Sequence, residues 1–230
     1  MADFLLLHGG QHGGWCWDGE RSILTAAGHR VEAPDLPGGG GRPATLGEVA
    51  EAAAGPLGRL SDGVVVVAHS MGGMAAVLLA DRYRTRLGGV LFAAAVVPAP
   101  GVAVLRDAFG RTGSLLMGAL GRPEPIRPVA AYFFGHRLGR TERRNLLGRL
   151  RAEDLSRARV PFPAYDLSGV RCHYLLTTRD RLLRPRTQRR FAARLPGGEV
   201  STVDGGHSVP IEHPAVVART AQGLARAAVA

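Results

Sequence analysis

Ser70 lies in the stretch best suited to chemistry, Val64-Val65-Val66-Val67-Ala68-His69-Ser70-Met71-Gly72-Gly73-Met74-Ala75. Four consecutive valines favour a buried strand, and Met74 to Ala80 reads as a helix. A serine at such a junction occupies a sharp strand-to-helix turn, its hydroxyl exposed above a helix N-terminus. The usual pattern is Gly-x-Ser-x-Gly. Here Ala68 replaces the first glycine, the smallest change that still lets helix and strand approach closely. The plainer reading is a helix N-cap, and the partners available elsewhere in the chain decide between the two.

A serine hydroxyl is a weak nucleophile near neutral pH. It needs a base within hydrogen-bond reach and a third group to orient that base. Eight histidines are available. His69 adjoins Ser70, and neighbours at such a turn point in different directions. His8 and His12 fall in the first loop, while His29, His136, His173 and His213 lie outside any glycine-rich loop after a late strand. His207 differs: Asp204-Gly205-Gly206-His207-Ser208 follows the last apolar strand and precedes the final helix. Asp180 ends the run Leu175-Leu176-Thr177-Thr178-Arg179, 27 residues before His207, which gives the order Ser, Asp, His. Asp204 is the rival acid, more naturally beside the loop than behind the imidazole; Asp35 and Asp62 precede the serine. Developing negative charge needs two backbone N–H donors. Met71 should supply one, and His8-Gly9-Gly10 the other, with Gly10 preferred to Gly9.

The elements needed to position these residues are visible. Strand-like runs cover Phe4 to Leu7, His29 to Ala33, Val64 to Ala68, Val90 to Ala93, Cys172 to Thr177 and Glu199 to Val203. Helical segments cover Trp17 to Ala27, Leu46 to Leu60, Met74 to Arg86, Arg186 to Leu195 and Pro214 to Val229. The alternation predicts an α/β fold: a mostly parallel sheet of about six strands with helices on both faces. It fails between 98 and 168, where Pro98, Pro100, Pro123, Pro125, Pro128, Pro161 and Pro163 mix with helical patches and aromatics such as Phe133, Phe134 and Tyr165. That stretch is expected to form a mainly helical lid over the strand ends, where open α/β sheets bind ligands, with residues 1–97 and 169–230 as the core domain.

Composition narrows the function classes. The chain has 230 residues and a net charge of +10, carried by arginine without any lysine. The arginines are dispersed and lack interleaved aromatics, so a solvated surface is expected rather than a nucleic-acid footprint. No membrane span and no secretory signal are legible, and Cys16 and Cys172 make no disulfide framework. A cytoplasmic protein is expected, with a homodimer left open. No metal and no cofactor are expected. The cysteines are far apart, His8 and His12 lie in a glycine-rich loop, and Gly38 to Gly41 leads into no Gly-Lys-Ser/Thr phosphate loop.

Several segments then resemble one family. Phe4-Leu5-Leu6-Leu7-His8-Gly9-Gly10-Gln11-His12-Gly13-Gly14-Trp15-Cys16-Trp17, Ala26-Ala27-Gly28-His29-Arg30-Val31 and Ala33-Pro34-Asp35-Leu36 are similar to the α/β-hydrolase branch of plant methyl esterases and hydroxynitrile lyases. The likeness covers the core on both sides of the lid and is weak in the lid. It implies the α/β-hydrolase fold, Ser70, Asp180 and His207 as triad, and the Gly10 and Met71 amides as oxyanion hole. Gly9 and Trp15 are expected to border the substrate. In the lyases a threonine follows the first histidine and a lysine follows the catalytic one; here Gly9 and Ser208 stand there, which favours ester chemistry over cyanohydrins.

The expected partner is a small-molecule ester, methyl or similar, with an aromatic or polyketide-like part and cleavage through an acyl-enzyme. A thioesterase, cyclase or C–C bond hydrolase would use the same residues. A small-molecule receptor on the same fold would keep them with little turnover. Epoxide hydrolase and dehalogenase chemistry is disfavoured, because it places an aspartate at the turn.

Overall fold

The computed structural model describes residues 1–120 and 125–227, the side chains of 116–120 excepted. Pro123, Ala228 and Val229 thus lie outside the described residues. Six strands form one parallel sheet: β1 (Asp3–Leu7), β2 (Arg30–Glu32), β3 (Val64–His69), β4 (Leu87–Ala93), β5 (Cys172–Thr177) and β6 (Glu199–Val203). Their order is β2-β1-β3-β4-β5-β6. Helices α1 (Asp18–Ala26), α2 (Leu46–Ala54) and α3 (Gly72–Tyr83) connect the first strands. Then come α4 (Val104–Leu120), α5 (Arg127–Phe133) and α6 (Arg140–Arg149) between β4 and β5, α7 (Pro185–Ala192) before β6, and α8 (Val209–Glu212) and α9 (Pro214–Ala227) after it.

Every residue of β1 and β3 is buried because helices cover both faces of the sheet. Leu5, Leu7, Val64 and Val66 face Val49 of α2, Met74 and Val77 of α3 and Phe191 of α7. Phe4, Leu6, Val65 and Val67 face Leu24 of α1 and Val217, Ala221 and Leu224 of α9. Successive side chains alternate between faces, so one valine run feeds both cores, each buried large aliphatic adding roughly 1.5–3 kcal/mol.

Among the elements whose bounds depart from the sequence reading, three show a clear cause. The helix expected over 46–60 stops at Ala54 and tightens into a 3₁₀ turn, Gly55–Arg59, since Pro56 has no N–H to continue the ladder. Trp17 closes a separate 3₁₀ turn, Gly14–Trp17, ahead of α1. β4 begins at Leu87 rather than Val90, because Leu87 and Gly89 pair with Val64 and Val65 across a register shift. Gly88 and Gly89 hide that extension in the sequence.

The segment between β4 and β5 leaves and returns through one closed base. Gly101 N–H donates to the Phe162 carbonyl at 2.8 Å, and Phe162 N–H to that of Val102 at 3.1 Å. Asp107 on α4 pairs with Arg194 beyond α7, which pins this excursion to the core. Many other arginines also meet carboxylates, as in Arg30–Asp3, Arg59–Glu32 and Arg179–Asp204. No helix among the described residues is long and apolar enough to cross a membrane.

Candidate active site

The loops that matter leave the C-terminal edge of the sheet. Ser70 follows β3 with φ +51°, a left-handed conformation rare outside glycine. The close quarters explain the glycines after it. A Cβ on Gly72 would collide with the Leu7 and His8 carbonyls, and one on Gly73 with that of Val96. Val96 N–H donates to the Ser70 carbonyl at 3.0 Å, tying the turn to the chain beyond β4. Ala68 is fully buried, paired with Leu7 and Phe92 on the two flanking strands, so its methyl is accommodated.

The structure brings Ser70, His207 and Asp180 together. His207 Nε2 lies 2.9 Å from Ser70 Oγ, and His207 Nδ1 donates to Asp180 Oδ2 at 2.7 Å. His207 is fully buried and Ser70 only 7% exposed. Asp180 is held from several directions: the Leu182 and Leu183 N–H groups donate to Oδ1 at 2.8 and 2.9 Å, and Gln188 Nε2 donates to Oδ2 at 3.2 Å. Gln188 also exchanges hydrogen bonds with the Thr177 backbone and receives its own hold from the Leu183 carbonyl at 2.7 Å. Asp204, the rival acid, is 62% exposed and serves Arg179, Arg137 and Thr178 instead.

Three further histidines are buried around this chain and kept neutral. His69 donates Nε2–H to the His207 carbonyl at 2.7 Å, which leaves its Nδ1 without a partner among the described residues. Burial pushes its pKa well below the usual imidazole value, with the neighbouring His207 adding to the effect. His8 and His12 are lowered by burial to about 4 and about 3. His8 donates Nδ1–H to the Gly9 carbonyl and accepts the Leu36 N–H at Nε2, both at 2.8 Å, which defines its tautomer.

A cavity of about 130 Å³ opens above Ser70. Its lining is largely apolar, with Val104, Leu105 and Phe109 of α4 and Val129, Phe133 and Phe134 from α5 and its end among the contributors. Gly10 and Met71 are on its floor, and no acceptor among the described residues takes either N–H. Phe134 also faces the His207 ring, centroids 5.7 Å apart. Gly9 and Trp15, expected beside the substrate, are placed elsewhere. Gly9 packs behind the serine, where a Cβ would fall 2.7 Å from Ser70 Cβ. Trp15 stacks on His12 and carries Arg149 over its ring in a separate surface hollow.

Gln188 and Glu153 escaped the sequence reading. Gln188 shares the buried face of α7 with Thr187, Phe191 and Ala192, so a glutamine among core positions was the available signal. Glu153, buried at the cavity wall beside Arg157, carried none, because its neighbours in the sequence look like a solvated loop.

The comparisons agree with this architecture. Residues 4–220 match the model of the alpha/beta hydrolase family, and the chain belongs to that family. Among curated relatives, Methylesterase 7 of Arabidopsis thaliana is 38% identical over 104 residues, 41% of this chain and 40% of that protein. The carbendazim hydrolyzing esterase of Nocardioides sp. (strain SG-4G) is 36% identical over 143 residues, 59% of this chain and 53% of the other. The matched stretches thus span about two fifths to one half of those relatives' lengths. Among solved structures, a pyrethroid hydrolase from Sphingobium faniae JZ-2 superposes with a TM-score of 0.80 at 22% identity, covering 98% of both chains. Polyneuridine aldehyde esterase gives 0.78 at 18% identity, covering 97% of this chain and 99% of that one. Both share the fold.

Proposed function

We propose that this protein is a serine esterase that cleaves a small, largely apolar carboxylic ester through an acyl-enzyme. The hydrogen-bonded chain Ser70–His207–Asp180 beneath an apolar cavity carries this reading. Ser70 Oγ attacks the ester carbonyl carbon while His207 Nε2 takes its proton. The Gly10 and Met71 N–H groups receive the tetrahedral oxyanion. His207 returns the proton to the departing alcohol, and Asp180 holds the imidazole and stabilises its charged form. Water, activated by the same histidine, then releases the acid. Residues 98–168 act as a lid that excludes water from an otherwise apolar chamber.

The relatives' descriptions as methylesterase and carbendazim hydrolyzing esterase support ester substrates. Gly9 and Ser208 support the same choice: neither supplies the cation that a cyanide leaving group would require. Ser70→Ala should lower turnover of p-nitrophenyl acetate by ~10⁴-fold or more. An aryl phosphonate should add once, on Ser70, by intact-protein mass spectrometry. Near-normal turnover in Ser70→Ala would refute the serine mechanism.

A further inference from the structure

The short segment Arg151–Glu153, on the return arm of the excursion, grips the loop after β1 through several hydrogen bonds. Arg151 N–H donates to the Gln11 carbonyl at 3.0 Å, and Arg151 Nε–H to that of His12 at 2.8 Å. In return Gln11 N–H donates to Glu153 Oε2 at 3.1 Å. The other carboxylate oxygen receives Arg157 in a buried ion pair. On its far side the same segment is pinned by Asp154 N–H to the Gly38 carbonyl and Gly40 N–H to that of Ala152, both at 2.9 Å. Gly38 has no room for a side chain there, since a Cβ would collide with the Arg157 guanidinium.

Gln11 needs such a hold. Its φ is +63°, a left-handed conformation that a non-glycine residue keeps only where its surroundings impose it. The Gly10–Gln11 peptide is clamped on both sides: the Gly10 carbonyl accepts His12 Nδ1–H at 2.8 Å, and Gln11 N–H goes to Glu153. One peptide earlier, the Gly9 carbonyl accepts His8 Nδ1–H at 2.8 Å. In a trans peptide N–H and C=O point to opposite sides, so the Gly10 N–H is directed away from His8.

We propose that Glu153 is a positioning residue for the oxyanion-binding amide of Gly10: its carboxylate, delivered by the excursion, holds Gln11 in the left-handed turn that aims that N–H. The proposal rests on the serine-esterase reading and goes beyond the triad. A buried charge pair is a costly way to satisfy a single N–H unless its geometry matters. The donor side of the site is therefore complete only with the excursion docked.

Two double variants separate the acceptor from the charge. E153Q/R157M keeps an acceptor for Gln11 and removes both charges; it should retain kcat within ~3-fold of the parent. E153L/R157M removes the acceptor; it should lose ~10- to 100-fold in kcat with KM changed less than ~3-fold. Affinity for a trifluoromethyl ketone, whose adduct with the serine carries the oxyanion, should fall by the same factor. The proposal is overturned by an unchanged kcat in E153L/R157M, by a loss confined to KM, or by equal losses in both variants. If E153L/R157M does not unfold cooperatively, Glu153→Asp withdraws the acceptor by one methylene while keeping a charge for Arg157; an unchanged kcat there also overturns it. Phosphonate labelling of the unaltered protein is measured alongside. Failure of the esterase reading appears as no labelling, whereas failure of this proposal appears as full kcat in a labelled enzyme.

Discussion

The two flanks of Ser70 are held by different parts of the chain. On the flank proposed for acid–base chemistry, Asp180 is fixed by the turn it belongs to and by Gln188 on the next helix, eight residues away. His207 arrives on the adjacent strand end, and His69 secures its carbonyl. On the flank proposed to donate N–H groups, the loop after β1 is fixed by Arg151 and Glu153, some 140 residues distant, from the excursion. One flank is built on the ends of β3, β5 and β6 within a single parallel sheet; the other needs a segment outside the sheet to dock. Local hydrogen bonds at strand ends form with the sheet. A loop closed by a distant segment depends on everything that keeps that segment seated.

Substitutions can break this contrast in graded ways. The largest effect is expected at Asp180, where Asp180→Asn should cost ~10³- to 10⁴-fold in kcat by removing the partner that orients His207. A loss under tenfold would mean that Asp204 or another acid serves the histidine. Gln188→Leu comes next. It leaves Thr177 N–H and Asp180 each short of a buried partner, so stability should fall by about 1–3 kcal/mol by denaturant titration, and kcat by ~10-fold. If stability falls without any change in kcat, Gln188 supports the core and not the acid.

The smallest effect concerns pH and the donor flank's neutral histidines. An unfolded imidazole takes up a proton near pH 6.5, whereas His8 and His12 stay neutral in the fold down to about 4 and about 3. Below pH 6.5 the unfolded state thus binds more protons, and stability declines as pH falls through that value toward those folded pKa values. Each histidine should contribute up to ~1.4 kcal/mol per pH unit between pH 6 and 5. His12→Gln should reduce that slope by about one proton. An unaltered slope would mean that the His12 imidazole is protonated within the fold.

Legibility followed the same division. The turns that place Ser70, His207 and Asp180 together could be read because each is a short pattern at the end of an apolar strand, where residue type and backbone geometry are linked. Asp180 could be preferred to Asp204 from strand position; in the structure Asp180 meets His207, while Asp204 pairs with Arg179 and Arg137. The placement of Trp15 was not readable. Its neighbours in the sequence are site residues, yet the 3₁₀ turn Gly14–Trp17 directs its ring to His12 and Arg149, away from the cavity. Glu153 was invisible for the converse reason, since nothing near it in the sequence announces a buried carboxylate.

By itself the sequence determined the parallel sheet and the three strand ends that carry Ser70, Asp180 and His207. Hydrophobic periodicity and glycine-rich turns are properties of short windows, and they act before any long-range contact forms. Only the tertiary structure decided what confines the chamber and what holds the Gly10 loop. Those depend on the excursion docking across the strand ends, where Glu153 meets Gln11 and Phe134 meets His207. Unlike strand ends, which the sheet itself brings together, a segment outside the sheet is placed by how whole elements pack, and no local pattern encodes that.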